Sequence, residues 1–251
     1  MVERQWRAGP VNIRVTTPDP PKERLSRERI VDTALAQMAE DGYDAVSMRS
    51  LARALQTGPA SMYAHVANKD ELDQLVIDRI ASLVALPEPD PAQWREQIRQ
   101  LLRDTLAAYR AHPGSARAAM AAIPTGDGGL KVAEASMAVL IAGGIHPQAA
   151  AWFCDLSALY VSGIAAEESI WAQRARAAEA AGVEVDEATV VAEVHRVFAE
   201  LPPARFPMIT TYADALTAGD GEERFEFGLD VLIAGLEVVS ARIRGDDRPA
   251  G

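Results

Sequence analysis

Met48-Arg49-Ser50-Leu51-Ala52-Arg53-Ala54-Leu55, then Gln56-Thr57-Gly58-Pro59, then Ala60-Ser61-Met62-Tyr63-Ala64-His65-Val66, then Ala67-Asn68-Lys69-Asp70-Glu71-Leu72 form one continuous stretch. Ser47, just before it, is a good helix N-cap. Met48, Leu51, Ala52 and Leu55 share one side at helical spacing, so the first segment predicts a short amphipathic helix. Gln56–Pro59 is a tight turn. Pro59 suits the first turn of a second helix, where its missing N–H costs nothing, and that helix ends near Val66. Asn68 caps the next helix, with Glu71 placed as a capping-box partner. Two short helices joined by a tight turn is the geometry that sets one helix end into the major groove of DNA.

Upstream, Ser26 caps a first helix, and Glu28 sits in its first turn beside the positive end of the dipole. Ile30, Val31, Ala34, Leu35 and Met38 form its apolar stripe. Asp41-Gly42 ends it, with Gly42 as the left-handed residue. Downstream, Leu72, Leu75, Val76, Ile80 and Leu83 line the inner side of a fourth helix, which Pro87 and Pro89 stop. Residues 1–24, with Pro10, Pro18, Pro20 and Pro21, read as a flexible, basic, Pro-rich arm. That arm is either a tail without a role or a basic strap touching phosphates or the minor groove.

From Pro91 the texture becomes alanine-rich, with apolar residues three and four apart. Helices are expected near 91–112, 116–123, 130–143, 147–181, 186–201, 205–217 and 222–244. Breaks fall at His112-Pro113-Gly114, Gly126-Asp127-Gly128-Gly129, Gly143-Gly144, Gly182, Pro202-Pro203 and Gly219-Asp220-Gly221. No strand and no repeat stands out. The expected class is all-α: a three-helix N-terminal head (25–86 with a linking helix) and a helical body for ligand binding and dimerisation (87–251).

The 251 residues, 49% of them hydrophobic, suffice for a sizeable core. The formal net charge of −11 is unusual for a nucleic-acid partner. It is unevenly spread. Residues 1–86 carry 11 basic and 12 acidic side chains, whereas 87–251 carry 14 and 24. Screening confines most effects to ~10 Å, so an acidic body leaves local DNA binding open. One cysteine, Cys154, excludes an intramolecular disulfide and suits a reducing compartment. The apolar runs fall short of the ~20 residues of a membrane span, and no secretion signal is recognised. The expectation is a cytoplasmic protein without a membrane partner.

The capped first helix, Leu51-Ala52-Arg53-Ala54-Leu55, and Tyr63-Ala64-His65-Val66-Ala67-Asn68-Lys69-Asp70-Glu71-Leu72 together resemble the TetR family of bacterial transcriptional repressors. The resemblance covers residues 26–75. It extends more loosely to the tetracycline-repressor type of body, most clearly at Phe225-Glu226-Phe227-Gly228-Leu229-Asp230. It implies an all-α homodimer that holds double-stranded operator DNA and releases it on binding a small-molecule effector. It also implies DNA contacts at Arg49, Ser61, Tyr63, His65 and Lys69, with Pro59 and Ala60 where relatives read bases. Two positions depart from the family pattern. The usual Leu-Gly-Val of the turn is Leu55-Gln56-Thr57, which leaves Gly58 to supply the left-handed residue. Ala64 replaces a frequent aromatic.

The chemistry of these side chains agrees. A Tyr hydroxyl and a His N–H suit single phosphate oxygens. Lys69 begins a helix whose free N–H groups already favour an anion. Arg49 can reach a phosphate or a guanine edge. The competing reading packs Tyr63 against the first helix and leaves His65 a solvated surface residue.

In the body, Tyr109, His112, Met120, Met137, Trp152, Asp155 and Tyr160 are the candidate effector-binding residues. Trp152, Asp155 and Tyr160 rank first, on the expectation of a buried carboxylate. The alternative is ordinary core packing. The helices near 147–181 and 222–244 are apolar around much of their girth, and two copies of each predict a four-helix dimer interface. The alternative is a helix buried within a monomer. His65, His112, His146 and His195 are scattered and no catalytic order is visible, so no metal, cofactor or catalytic residue is expected. The glycine-rich 126–129 segment lacks a P-loop lysine and is expected to be a loop. Two rival functions remain at this point: an all-α enzyme acting on small molecules, and a ligand-independent architectural DNA binder.

Overall fold

Ser26, Ser47 and Asn68 each accept a backbone N–H three residues on, from Arg29 (3.2 Å), Ser50 (3.0 Å) and Glu71 (2.8 Å). These caps start three helices of the head. A computed structural model describes residues 4–8, 11–15, 24–120, 125–182 and 186–246. The head contains α1 (Arg27–Asp41), a 3-10 turn at Tyr43–Ala45, α2 (Met48–Ala54), α3 (Pro59–Tyr63) and α4 (Lys69–Ala81). Ile30, Ala34, Met38, Leu51, Met62, Val66, Leu72, Val76 and Ile80 meet in one core, each at most 1% exposed. Helical spacing singles out most of this set, but Leu83, expected on the inner side of α4, lies beyond its end and is 52% exposed.

The body comprises α5 (Trp94–Arg110), α6 (Ala116–Ala119), α7 (Asp127–Ala142), α8 (Pro147–Ala180), α9 (Glu187–Glu200), α10 (Pro207–Thr211), α11 (Ala213–Thr217) and α12 (Gly221–Asp246). Its core joins Trp94, Ile98, Leu101 and Leu106 to Val139, Leu140, Phe153, Val161, Phe225 and Leu229. Tyr109 and Ala108 touch both cores and form the apolar joint between head and body. Paired charges tie the body's own helices together. Arg103 of α5 makes a two-pronged contact with Glu226 of α12 (2.6 and 2.8 Å), and Arg110 does the same with Glu168 of α8 (2.9 and 2.8 Å).

Several expectations need correcting. The arm contains a strand pair, β1 (Arg4–Ala8) and β2 (Val11–Val15), antiparallel with Trp6 opposite Ile13. The cause is a two-residue alternation, Trp6, Ala8, Val11, Ile13 and Val15, that helical templates pass over. The arm's prolines and Lys22 lie outside the described residues, as do 121–124 at the end of the expected 116–123 helix. The 205–217 stretch is two helices, α10 and α11, with Tyr212 between them.

The glycine-rich segment is the N-cap and first turn of α7 rather than a loop. Its glycines admit α4. A Cβ on Gly128 would overlap the Asp78 carbonyl, and the Gly129 N–H donates to Asp78 Oδ1 (3.0 Å). By length and composition, α8 is apolar enough to cross a membrane, although the sequence runs seemed too short. Its packing against α5, α6, α7 and α12 goes with the burial of 44% of its most apolar window; an outer face with Trp152, Leu156 and Leu159 stays exposed.

Candidate nucleic-acid interface

α2 ends in a tight motif that sets the angle of α3. The Gln56 N–H donates to the Arg53 carbonyl (3.1 Å) and the Thr57 N–H to the Ala52 carbonyl (2.9 Å). This is the Schellman arrangement, which requires a left-handed residue between them. Gln56 itself takes that conformation, with φ +50°. Gly58, expected to supply it, is instead the extended N-cap of α3 at φ −79°. Gly58 is therefore a spacer, and the strained backbone belongs to a residue with a Cβ. Gly42 does adopt positive φ, +86°, but with ψ 166° it lies outside the left-handed helical region.

α3 is anchored by Met62 and, just beyond its end, Val66, both fully buried. Pro59, Ala60, Ser61 and Tyr63 are exposed, Tyr63 by 55%. His65 is half-buried and Arg49 is exposed in the first turn of α2. The seven positions named from the sequence thus lie on three adjoining helix segments, α2, α3 with its exit turn, and the start of α4. Tyr63 does not pack into the head's core.

The exit from α3 is braced by a residue that the sequence reading passed over. Arg27 donates through Nε to the His65 carbonyl (2.8 Å) and pairs with Glu71 (3.0 Å). Glu71 Oε2 accepts the Ala67 N–H (2.6 Å), one residue before the position that a standard capping box would use. A first-turn arginine on α1, one residue after its cap, is the only sequence signal for this brace.

Lys69 is not a free cation. Its ammonium pairs with Asp73 and lies 4.1 Å from the Tyr43 ring centroid. The Tyr43 hydroxyl donates to the other Asp73 oxygen (2.6 Å). Burial, and then this carboxylate, push the Tyr43 hydroxyl well above the usual tyrosine range.

The candidate effector residues are scattered. Tyr109, His112, Met137 and Tyr160 are half-buried. Burial pushes the Tyr109 hydroxyl up to about 12, and His112 Nδ1 lies 2.8 Å from the Ala108 carbonyl. Tyr160 donates to the Phe225 carbonyl (3.1 Å). Met120 is 51% and Trp152 63% exposed, and Asp155 is exposed too. The expected buried carboxylate is therefore absent at Asp155. One helical turn does place Asp155 near Trp152, but on the outer face of α8. An open cleft of about 310 Å³ lies elsewhere, bordered by Leu86, Gln93, Gln97, Leu101 and Asp104, and none of the seven candidates lines it.

Two family models cover the two parts of the chain. Residues 30–74 match the tetR family of bacterial regulatory proteins, and residues 86–240 match the tetracyclin repressor-like C-terminal domain. The chain belongs to the TetR family. Members of this family are regulators that bind operator DNA and small-molecule effectors and form dimers, and this chain is a TetR-family transcriptional regulator.

Among similar proteins, the HTH-type transcriptional repressor DrrR1 of Streptomyces coeruleorubidus is 29% identical over 235 residues, 91% of this chain and 83% of the repressor. The class G tetracycline repressor protein of Vibrio anguillarum is 26% identical over 228 residues, 89% of this chain and 99% of that protein. Among solved structures, the TetR family protein ActR of Streptomyces coelicolor in complex with actinorhodin is 37% identical. It superposes with a TM-score of 0.75 over 87% of this chain and 99% of ActR.

Proposed function

We propose that this chain is a cytoplasmic, homodimeric repressor, not an enzyme, that places α3 of each copy in a major groove and lets go when an effector enters the body. The observation that carries the DNA contact is the seat of α3. Two buried residues, Met62 and Val66, hold a helix whose remaining side chains face outward. Arg49, Ser61, Tyr63, His65 and Lys69 then supply phosphate and base contacts around it, with Pro59 and Ala60 closest to the bases. The arm remains a candidate second contact.

Dimerisation is supported by two exposed apolar stripes on helices that pack together. On α8 the stripe is Trp152, Leu156 and Leu159; on α12 it is Phe227, Val231 and Val238, and all six are at least 49% exposed. A monomer gains nothing by leaving these in water, whereas a two-fold copy buries all of them. We assign Trp152 to this face and Asp155 to its border. The effector seat is drawn from the half-buried set, Tyr109, His112, Met137 and Tyr160, with Met120 at its edge. The effector is a small organic molecule, of the kind represented by actinorhodin in its complex with the similar ActR.

The test is fluorescence anisotropy with a labelled duplex from the DNA upstream of this gene, followed by titration with actinorhodin-like small molecules. Salt-sensitive binding that a compound reverses is expected. Turnover of such a compound without DNA, or binding that no compound alters, overturns the corresponding half of the reading.

A further inference from the structure

Tyr43 is the residue on which the body and a DNA-contacting lysine meet. On one side, Lys69 Nζ lies 4.1 Å from its ring centroid and pairs with Asp73, whose Oδ2 accepts the Tyr43 hydroxyl at 2.6 Å. On the body side, Arg117 of α6 places its guanidinium carbon 5.5 Å from the same ring, and its Nη1 lies 2.7 Å from Asp44 Oδ2.

The backbone leaves little slack at this joint. A Cβ on Gly114, before α6, would lie 3.1 Å from the Met38 carbonyl and 3.4 Å from the Tyr43 nitrogen. Gln173 of α8 reaches the Asp41 carbonyl at 3.5 Å. Three body segments therefore hold the Asp41–Asp44 turn, and that turn carries the ring on which Lys69 rests.

We propose that Asp73, held by Tyr43, is an internal stand-in for a DNA phosphate, and that Arg117 ties this latch to the body. The carboxylate offers Lys69 one oxygen and gives the other to a fixed donor, much as a backbone phosphate offers its two free oxygens. Lys69 must leave Asp73, or share its charge, to neutralise a phosphate. The side chain of Asp73 is only 13% exposed and that of Lys69 31%, so water screens the pair less than a surface pair. Movement of α6 displaces Arg117, and with it Tyr43, which changes how firmly Asp73 competes. The idea rests on Lys69 being a DNA contact, and it adds how that contact is restrained.

The test uses a labelled mixed-sequence duplex of ordinary DNA, because phosphate contacts do not require the operator. Affinity is measured by anisotropy at low salt for the full-length protein. Asp73→Asn keeps the shape and is expected to bind about five-fold more tightly, the scale of one partly exposed ion pair. Asp70→Asn, in the first turn of the same helix, supplies the general effect of removing a charge. The excess over Asp70→Asn is expected to vanish in a Lys69→Ala background.

Arg117→Ala is expected to give a smaller gain that also depends on Lys69. Tyr43→Phe, which removes only the hydroxyl bond to Asp73, carries the same expectation if Asp73→Asn fails to fold by circular dichroism. A gain no larger than that of Asp70→Asn, or one that survives Lys69→Ala, overturns the latch while leaving DNA binding intact. An effect of Asp73→Asn without one from Arg117→Ala overturns the tie to the body. A wild-type protein that ignores DNA at every salt concentration overturns the DNA-binding reading itself.

Discussion

Tyr160 of α8 lies flat against Phe225 of α12, the ring centroids 5.6 Å apart and the planes within 1° of parallel. Its hydroxyl passes over Gly228 to reach the Phe225 carbonyl, and a Cβ on Gly228 would overlap that hydroxyl. Gly228 thus serves contact between two helices of one chain. In the sequence it pairs with Gly235, seven residues on, as if both marked a surface for a partner. Only Gly235 has open space around it.

Gly228→Ala is therefore expected to destabilise the protein by about 1–3 kcal/mol, the usual scale of overpacking. Urea unfolding followed by circular dichroism reads it. Tyr160→Phe in the same chain should recover part of the loss, because the hydroxyl is the nearest atom. An unchanged midpoint for Gly228→Ala would show that the two helices separate freely.

Val231→Arg is expected to yield monomers in light scattering while keeping the helical signal. Val231 is 54% exposed on the outer stripe of α12, so the substitution places a charge on the proposed interface without touching the core. Leu232 packs against the body's core instead, and a charge there would report unfolding rather than dissociation. A dimer that survives Val231→Arg would place the interface elsewhere.

Tyr63→Ala is expected to weaken DNA binding while leaving the salt slope unchanged, because a neutral hydroxyl bonds a phosphate without neutralising it or releasing a counterion. Because Tyr63 is 55% exposed, the melting temperature should stay near that of the wild type. Equal affinity across a salt series would remove Tyr63 from the interface.

Gln56→Gly is expected to stabilise the head by up to ~1 kcal/mol. The left-handed φ of +50° costs a residue with a Cβ ~1–2 kcal/mol, and glycine's greater unfolded-state entropy returns part of that gain. Thermal melting checks it. A lower melting temperature would mean that the Gln56 side chain contributes more than its backbone costs.

Cys154 should react slowly with a disulfide reagent at pH 8 and fast in urea. Burial pushes its thiol up to about 11. A raised thiol stays protonated until the pH approaches that value, and the thiolate is the reactive form. The same shift predicts lower stability as pH rises from the free-thiol range toward 11, because the unfolded thiol ionises first. Fast labelling of the folded protein at pH 8 would contradict the buried setting.

The head was legible because its signals are local. Caps at Ser26, Ser47 and Asn68, Pro59 at a helix start, and apolar spacing along α1 and α4 each act within a few residues. The exposed set on α3 followed from the same pattern, since Met62 and Val66 fix which side faces inward. The left-handed residue was misplaced because glycine is the cheaper choice, yet the hydrogen-bond closure of α2 fixes the position and Gln56 occupies it. Asp155 was read as buried because its helix is apolar; that helix turned out to show one apolar side to the solvent. The Lys69–Asp73 pair is four residues apart on one helix and was open to a spacing argument, but the brace by Arg27 and the bond from Tyr43 to Asp73 join residues 30 to 44 positions apart, and no short-range pattern encodes them.

By itself the sequence determined the class of fold, the order of its helices and the helix-turn-helix that faces outward, since those depend on periodicity and on which backbone groups the caps satisfy. Tertiary structure alone decided that Tyr43 holds Asp73 beside Lys69, that Gly228 makes room for Tyr160, and that Trp152 lies on an outer face. Each of those outcomes depends on the distance between helices far apart in the chain, and that distance is set when separate apolar faces close on one another.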